Sequence, residues 1–218
     1  MSIDVAVVGS CNLDLVVNVD AIPLVGQTVL GGDLAQIPGG KGANQAVAIS
    51  RLGHSVAFIG RVGDDDNGKF LKQCLREDNV ETSFLFETVG VPSGIAMIAV
   101  QADGDNSIVV SPGANSRLTP EDVENIPFLG TATVVLTQSE IPIETVVATG
   151  RSTSGTFVWN PAPAPEEIVS PELLDVVDVL VPNQTELSLL AATGPIDSVD
   201  KAISCLLYTS DAADEKVR

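Results

Sequence analysis

Histidine and cysteine are scarce in this 218-residue chain, which excludes several kinds of site. The single histidine, His54, rules out histidine-based metal clusters and argues against a Ser-His-Asp triad, and we expect it to be a loop residue at a helix end. Three cysteines, Cys11, Cys74 and Cys205, are too few and too scattered for a disulfide or zinc framework. The cysteine content is typical of a protein in a reducing compartment.

The chain also has few positively charged residues and no long apolar run. The chain has 11 Lys and Arg against 29 Asp and Glu, a net charge of −18, which argues against a nucleic-acid partner. No apolar run approaches the roughly 20 residues of a membrane span, and the start "MSID" lacks a signal-peptide core. With 44% hydrophobic residues and a mean hydropathy of +0.30, the chain is expected to be globular and cytoplasmic, and nuclear as well in a eukaryote.

What the chain does contain is an alternation of strand and helix patterns. Valine-rich apolar runs predict buried strands, and amphipathic segments between them predict helices. The predicted strands cover 3–10, 55–63, 131–138, 155–160 and 175–183, and the predicted helices cover 42–53, 67–79, 144–151 and 185–194. This order predicts an α/β fold, a doubly wound and mostly parallel sheet flanked by helices.

Two segments interrupt this alternation. Residues 12–36 and 91–112 carry β-branched or alternating runs with Gly and Asp turns but no helix pattern. The stretch "QADGDNS" is a good hairpin turn between "IAMIAV" and "SIVV". We expect these segments to form a small projecting β-sheet, a lid over the crevice at the carboxyl ends of the main strands.

The stretch "GGKGAN", residues 39–44, places three glycines, Lys41 and Asn44 at the start of a predicted helix. Glycines let backbone amides approach a ligand, and a helix start offers unpaired N–H groups, so the stretch suits an oxygen-rich ligand such as a phosphate or a polyol. It is neither a Walker A loop nor a G-x-G-x-x-G motif. A plain glycine-rich turn is the simpler interpretation of this stretch taken alone.

The segments "VVGSCNLDLVV", "IPGGKGANQAVA", "GRVGDDDNG", "VPSGIAMI", "TQSEIP", "NPAPAP" and "VPNQTE" occur together in this order. The set resembles the ribokinase-like (phosphofructokinase-B type) carbohydrate kinases, over residues 3 to about 195. The resemblance implies an ATP-dependent sugar kinase with Mg²⁺, and "GGKGANQA" with "NPAPA" is most similar to its ribose-phosphorylating members. It also implies a homodimer formed through the lid, and we expect residues 1–204 to be the N-terminal part of one such domain.

The resemblance implies a set of sugar-binding residues, for each of which the residues alone allow a simpler interpretation. A carboxylate accepts two hydroxyl hydrogen bonds and an amide both donates and accepts, which suits a sugar. Without the resemblance these residues are a polar turn, a glycine-rich helix start and an exposed acid at a strand end. The implied sugar-binding residues are Asn12, Asp14, Gly40, Lys41, Asn44 and Glu140.

The element "PNQTE" resembles the family's Asn-x-x-Glu element. There the Asn contacts the ATP phosphates and the Glu helps to organise magnesium through water, which implies these roles for Asn183 and Glu186. The same spacing also fits a helix capping box, and both interpretations can hold together. The acidic trio Asp64–Asp66 has no counterpart in the family's chemistry, and we expect a solvated loop before a helix.

The family's catalytic base and γ-phosphate amides come from a later Gly-Ala-Gly-Asp-type element, which residues 196–218 do not contain. We therefore expect no catalytic base here and little activity from this chain alone. The adenine pocket and the K⁺ site belong to the same later region. The ending "CLLYTSDAADEKVR", 205–218, departs from the family, as an altered product or an alternative exon would. The alternatives to a ribose kinase are a non-catalytic, sugar-binding, dimerising isoform and a kinase of another sugar or nucleoside.

Overall fold

The computed structural model describes residues 3–165 and 169–202 and contains a six-stranded sheet in which every strand pair is parallel. From edge to edge the order is β10-β9-β8-β1-β4-β5. The strands are β1 (Val5–Val8), β4 (Val56–Gly63), β5 (Leu85–Thr88), β8 (Val134–Gln138), β9 (Thr156–Asn160) and β10 (Val179–Leu180). The first strand is central, so the chain builds the sheet outward on both sides of it.

Helices cover both faces of this sheet. They are α1 (Lys41–Arg51), α2 (Asp66–Glu77), α3 (Pro120–Glu124), α4 (Ile143–Ser152), α5 (Pro171–Val176) and α6 (Gln184–Leu190), with a 3₁₀ helix at Gly113–Arg117. Side chains alternate along β1: Ala6 and Val8 pack in the cluster that includes α3, α4 and α5, whereas Val7 packs with α1 and α2. The predicted α/β, doubly wound fold is confirmed.

A second sheet has four strands in the order β3-β2-β6-β7. Its strands are β2 (Asn12–Asn18), β3 (Ala35–Gly39), β6 (Gly94–Val100) and β7 (Asn106–Ser111). The parallel β2–β6 pair joins two antiparallel hairpin partners, β3 and β7. Strands β2, β6 and β7 fall in the two segments predicted to form a lid, whereas β3 extends beyond residue 36 to Gly39. We call this sheet the lid.

The predicted strand over 175–183 is wrong in most of its length. Residues Pro171–Val176 form α5, and the strand that follows contains only Val179 and Leu180. The Ser170 hydroxyl oxygen caps α5 by accepting from the amide of Leu173, and proline at the first helical position suits a helix start. A short apolar run does not distinguish a buried helix from a strand, so these cap residues decide the outcome.

Among the residues described, no helix is both long and apolar enough to cross a membrane. The tail predicted over 205–218 lies outside the described residues.

Candidate functional site

The start of α1 packs closely against the backbone that links β1 to β2. Gly40 precedes the helix with φ +90°, and a Cβ there would lie 2.8 Å from the amide nitrogen of Asn12. A Cβ on Gly42 would lie 2.8 Å from the amide nitrogen of Ser10. Both distances are too short for any side chain, so the glycines of "GGKGAN" are required for packing.

The amides at this helix start are engaged by the protein itself, which corrects the expectation of free main-chain donors around Gly40. The amide of Lys41 donates to Glu140 Oε2 at 3.1 Å. Gly42 and Ala43 donate to Ser10, at its hydroxyl oxygen (3.4 Å) and its carbonyl oxygen (2.9 Å). A ligand in this arrangement therefore meets mainly side chains.

Glu140 follows β8 and is fixed against the start of α1. Its Oε2 accepts the Ser10 hydroxyl at 2.5 Å and the Lys41 amide at 3.1 Å. Its other oxygen, Oε1, has no hydrogen-bond partner among the residues described. A carboxylate held by one oxygen can accept a hydrogen bond from a ligand hydroxyl with the other.

Asp14, on β2, lies beside this carboxylate. Burial raises the pKa of Asp14 above its ordinary value of 3.8, and the negative charge of Glu140 raises it further. The carboxyl group sits over Gly39, where a Cβ would lie 2.2 Å from Asp14 Oδ2. The lid therefore brings a second carboxylate to the start of α1.

Asn12 is 3% exposed, and its side chain contacts a residue that the sequence analysis missed. Asn115, in the 3₁₀ helix, donates from Nδ2 to Asn12 Oδ1 at 2.7 Å. Asn12, Asn115 and Glu140 line one cavity of about 390 Å³, together with Ser139 and with residues of β7 and of neighbouring proline-containing segments. Asn115 is 103 residues from Asn12 along the chain, so no local pattern could have indicated the contact.

Asn44 does not line this cavity. It lies one turn into α1 and borders a separate cavity of about 260 Å³ between α1, α2 and β3, with Gly39 and Cys11 among its walls. The structure thus brings together Asn12, Asp14 and Glu140 around the α1 start and leaves Asn44 at the rim, next to Gly39.

Asn183 and Glu186 form the capping box at the start of α6. Asn183 Oδ1 accepts the amide of Glu186, and Glu186 Oε2 accepts the amide of Asn183, each at 2.8 Å. The side-chain nitrogen Nδ2 of Asn183 and the Oε1 atom of Glu186 have no hydrogen-bond partner among the described residues. The free Glu186 oxygen is suited to a hydrated Mg²⁺ that is held through a water molecule. Among residues 3–165 and 169–202, no group of three or more potential metal ligands occurs.

A chain of side-chain amides links the α1 region to the segment before Asn183. Gln138 Nε2 donates to Gln45 Oε1 at 2.5 Å, and Gln45 Nε2 donates to Asn160 Oδ1 at 3.2 Å. Asn160 Nδ2 then donates to the carbonyl oxygen of Val181 at 2.8 Å. The carboxyl ends of β8, β9 and β10 are therefore connected to α1.

The acidic trio at 64–66 divides into different roles. Asp64 and Asp66 are exposed, as expected, but Asp65 caps α2 by accepting the amide of Gly68 at 2.8 Å. Burial acts to raise the pKa of Asp65, yet hydrogen bonds from the Ser93 hydroxyl and amide and from Gly68 lower it overall. The trio therefore starts a helix and anchors the lid next to β6.

Comparison with known proteins agrees with this arrangement. A family model described as pfkB family carbohydrate kinase matches residues 2–212. Ribokinase from Bacillus subtilis is 42% identical over 191 residues, which are 86% of this chain and 64% of that protein. The structure of ribokinase from Giardia lamblia superposes with a TM-score of 0.89 at 31% identity, over 97% of this chain and 66% of that one.

The structure of Arabidopsis thaliana ribokinase complexed with ribose and ATP superposes with a TM-score of 0.80 at 30% identity, over 97% of this chain and 69% of that one. The chain thus spans about two thirds of the length of these relatives. The family match covers nearly all of the chain, and the similarity to ribokinases extends over both sheets. The resemblance seen in the sequence is confirmed, and the chain belongs to the pfkB family of carbohydrate kinases.

Proposed function

We propose that this chain forms the sugar-binding part of an ATP-dependent kinase that phosphorylates D-ribose to D-ribose 5-phosphate. The observation that carries the proposal is the convergence of Asn12, Asp14 and Glu140 beside the α1 start. Asn12 and Glu140 line one cavity, and Asp14 adds a second carboxylate that interacts electrostatically with Glu140, so the group offers both donors and acceptors to a small polyol. The Arabidopsis relative, whose structure contains ribose and ATP, supports the choice of sugar.

Each residue has a defined part in this proposal. Asp14 and Glu140 accept hydrogen bonds from sugar hydroxyls, while Asn12 donates a hydrogen bond to a hydroxyl oxygen. Gly40 allows the close approach that brings α1 to this site, and Lys41, the first residue of α1, adds a positive charge to the helix start in a chain of net charge −18. Asn44 lies at the rim, where it is available to a sugar that extends toward β3.

The nucleotide end of the reaction involves Asn183 and Glu186 in our proposal. The Asn183 side-chain Nδ2 donates to an ATP phosphate oxygen. Glu186 Oε1 accepts from a water bound to the magnesium that accompanies ATP. Bound magnesium supplies charge neutralisation for the transferring phosphoryl group. The chain contributes positioning here, because the capping box fixes both side chains.

Calorimetry and thermal melting of the 218-residue chain with D-ribose test the proposal. Ribose at about 100 times its Kd is expected to add about 2.7 kcal/mol to the free energy of unfolding. D-Arabinose, fructose and adenosine serve as comparison ligands, and stronger binding by one of them would assign the substrate to another branch of the family. In the same samples with ATP, we expect ADP release at background level, and rapid turnover would overturn that part of the proposal.

We further propose that the lid pairs with the lid of a second copy. All of β7 is exposed, and apolar side chains dominate one stretch of it: Ile108, Val109 and Val110 are 51%, 58% and 46% exposed. Met97 of β6 and Ile37 of β3 add further exposed apolar surface to the same sheet. A lone soluble domain rarely leaves such a patch open, and a second copy of the same sheet covers it symmetrically.

Val109→Asp is expected to convert a dimer of this chain to a monomer, because a charge would be buried in the lid–lid interface. Val89→Asp is the matched control, since Val89 is 83% exposed in a loop outside the lid. Sedimentation velocity over a concentration series measures the assembly state of both variants. A monomeric wild type, or a dimer that survives Val109→Asp, would refute this interface.

A further inference from the structure

Asn115 bridges two neighbouring residues of the site with its single carboxamide. It lies in the 3₁₀ helix, is 1% exposed, and belongs to a segment far from the site in sequence. Its Oδ1 accepts the amide of Cys11 at 2.9 Å, and its Nδ2 donates to the carbonyl oxygen of Cys11 at 3.2 Å. The same Nδ2 donates to Asn12 Oδ1 at 2.7 Å.

Backbone chemistry determines the orientation of both carboxamides. The amide of Cys11 can only donate, so the Asn115 atom that meets it is oxygen. The carbonyl of Cys11 can only accept, so the other Asn115 atom is nitrogen, and its second hydrogen points to Asn12. The Asn12 atom that receives this hydrogen is consequently oxygen, and Asn12 is left with its NH₂ group for the cavity.

Close packing holds the two carboxamides of this pair in place. In the β2–β6 register Asn12 is opposite Gly94, and a Cβ on Gly94 would lie 2.1 Å from Asn12 Oδ1 and 2.3 Å from Asn115 Nδ2. The 3₁₀ helix is itself held by the amide of Ala114, which donates to the carbonyl oxygen of Pro92 at 2.9 Å. Three segments therefore meet at the two carboxamides.

We propose that Asn115 is a positioning residue that makes Asn12 a pure hydrogen-bond donor toward the sugar. This inference rests on the proposed sugar site. Asn12 Nδ2 has no partner among the described residues, whereas the carboxylates of Asp14 and Glu140 can only accept when ionised. A hydroxyl between them accepts from Asn12 and donates to a carboxylate, so the site recognises a hydroxyl through both of its functions.

Fluorinated sugars separate these two functions, since a C–F group keeps lone pairs but has no proton to donate. The 218-residue chain is titrated with D-ribose and with the deoxy and fluoro-deoxy analogues at each hydroxyl in turn. At the hydroxyl that meets Asn12, the fluoro analogue is expected to bind about threefold or more tightly than the deoxy analogue. A merely structural role for Asn115 would leave this ratio unchanged in its variants.

Asn115→Asp keeps the acceptor for the Cys11 amide and removes both donors, so the Asn12 carboxamide turns over and presents its oxygen. Ribose affinity is then expected to fall about 10-fold, and the preference for the fluoro analogue is expected to disappear. Asn12→Asp is the second variant, for use if Asn115→Asp does not fold. It retains the bond from Asn115 but presents an acceptor to the cavity, and it also loses the fluoro preference.

Hydrogen exchange of the side-chain carboxamides in ¹⁵N-labelled protein tests the geometry without any sugar. The NH₂ group of Asn115, which is hydrogen-bonded, is expected to exchange more slowly than that of Asn12. A fluoro preference that persists in both variants, or an Asn12 NH₂ group that exchanges as slowly as that of Asn115 in the unliganded wild type, would overturn the inference. A wild type that binds no sugar but shows the expected exchange would refute the proposed function alone.

Discussion

Asp14→Asn is expected to weaken ribose binding about 100-fold while raising the melting temperature of the unliganded protein. The loss of affinity follows because a carboxylate accepts hydrogen bonds from hydroxyls with both of its oxygens. The carboxamide of the variant has one acceptor oxygen fewer and no charge. The gain in stability follows because the substitution removes a negative charge that is partly buried beside Glu140. The two effects have opposite signs, so general damage to the fold cannot imitate them.

The pH dependence of stability follows from the raised pKa of Asp14. Burial and the Glu140 charge make the folded state prefer the protonated carboxyl, so this group's stabilising contribution is complete below the ordinary value of 3.8. That contribution is lost as the pH rises through the raised pKa. The stability advantage of Asp14→Asn is therefore expected at neutral pH and should vanish in acid.

A second variant moves the Asp14 carboxylate without changing its charge. A Cβ on Gly39 would lie 2.2 Å from Asp14 Oδ2, so Gly39→Ala should displace the carboxylate and lower ribose affinity about 10-fold. Gly32→Ala, between β2 and β3, is the matched control, since the nearest atom to its Cβ is 3.8 Å away. Calorimetry gives the affinities, and scanning calorimetry from pH 3 to 7 gives the stabilities. Wild-type affinity in Asp14→Asn, or a lowered melting temperature, would contradict the assigned role.

Strand and helix order could be predicted from the sequence because burial on both faces of a parallel sheet leaves a strong pattern. The runs that became β1, β4, β8 and β9 are β-branched and apolar, and the segments between them have helical periodicity. The pattern gave no such guidance at α5, where Ser170 and Pro171 start a helix within an apolar stretch. Local capping chemistry outweighs hydrophobic pattern when an element has only six residues.

The site could be predicted only where its residues lie in motifs. Asn12, Asp14 and Glu140 follow strand ends, and parallel strands bring such residues to one edge of the sheet. Two features had no local signal: the partnership of Asn115 with Asn12, and the Ser10 and Glu140 side chains that occupy the amides of α1. Both are contacts across 30 or more residues, which depend on how α1, the 3₁₀ helix and the segments that follow β1 and β8 pack together.

Asp122→Asn is expected to lower the free energy of unfolding by about 3 kcal/mol at pH 7, because it leaves the Arg61 guanidinium without its counter-ion. Arg61 of β4 donates from Nη2 to Asp122 Oδ1 at 2.6 Å and from Nε to Oδ2 at 2.8 Å. The two side chains are only 20% and 13% exposed. Asp122 also accepts the amide of Thr119 at 2.9 Å, so the pair ties the start of α3 to the main sheet.

An exposed ion pair provides the matched control. Lys69 and Asp66 are 2.8 Å apart, but their side chains are 72% and 97% exposed. Asp66→Asn is expected to change the free energy of unfolding by less than about 0.5 kcal/mol. Urea unfolding of both variants measures the contrast, and a loss below about 1 kcal/mol in Asp122→Asn would show that the Arg61 pair contributes no more than a surface pair.

The dependence of this effect on pH identifies its electrostatic part. Burial acts to raise the pKa of Asp122, but hydrogen bonds from Arg61 and Thr119, together with the Arg61 charge, lower it below 3.8 overall. A lowered pKa gives a stabilising contribution that is present above 3.8 and is lost as the pH falls through the folded-state value. Wild type and Asp122→Asn should therefore converge in stability at acid pH. Asp14→Asn converges with wild type in acid as well, but its effect at neutral pH has the opposite sign. If the difference in free energy of unfolding between wild type and Asp122→Asn stays constant with pH, the lost stability comes from packing and not from charge. The double variant Arg61→Met with Asp122→Leu would then recover little of that stability.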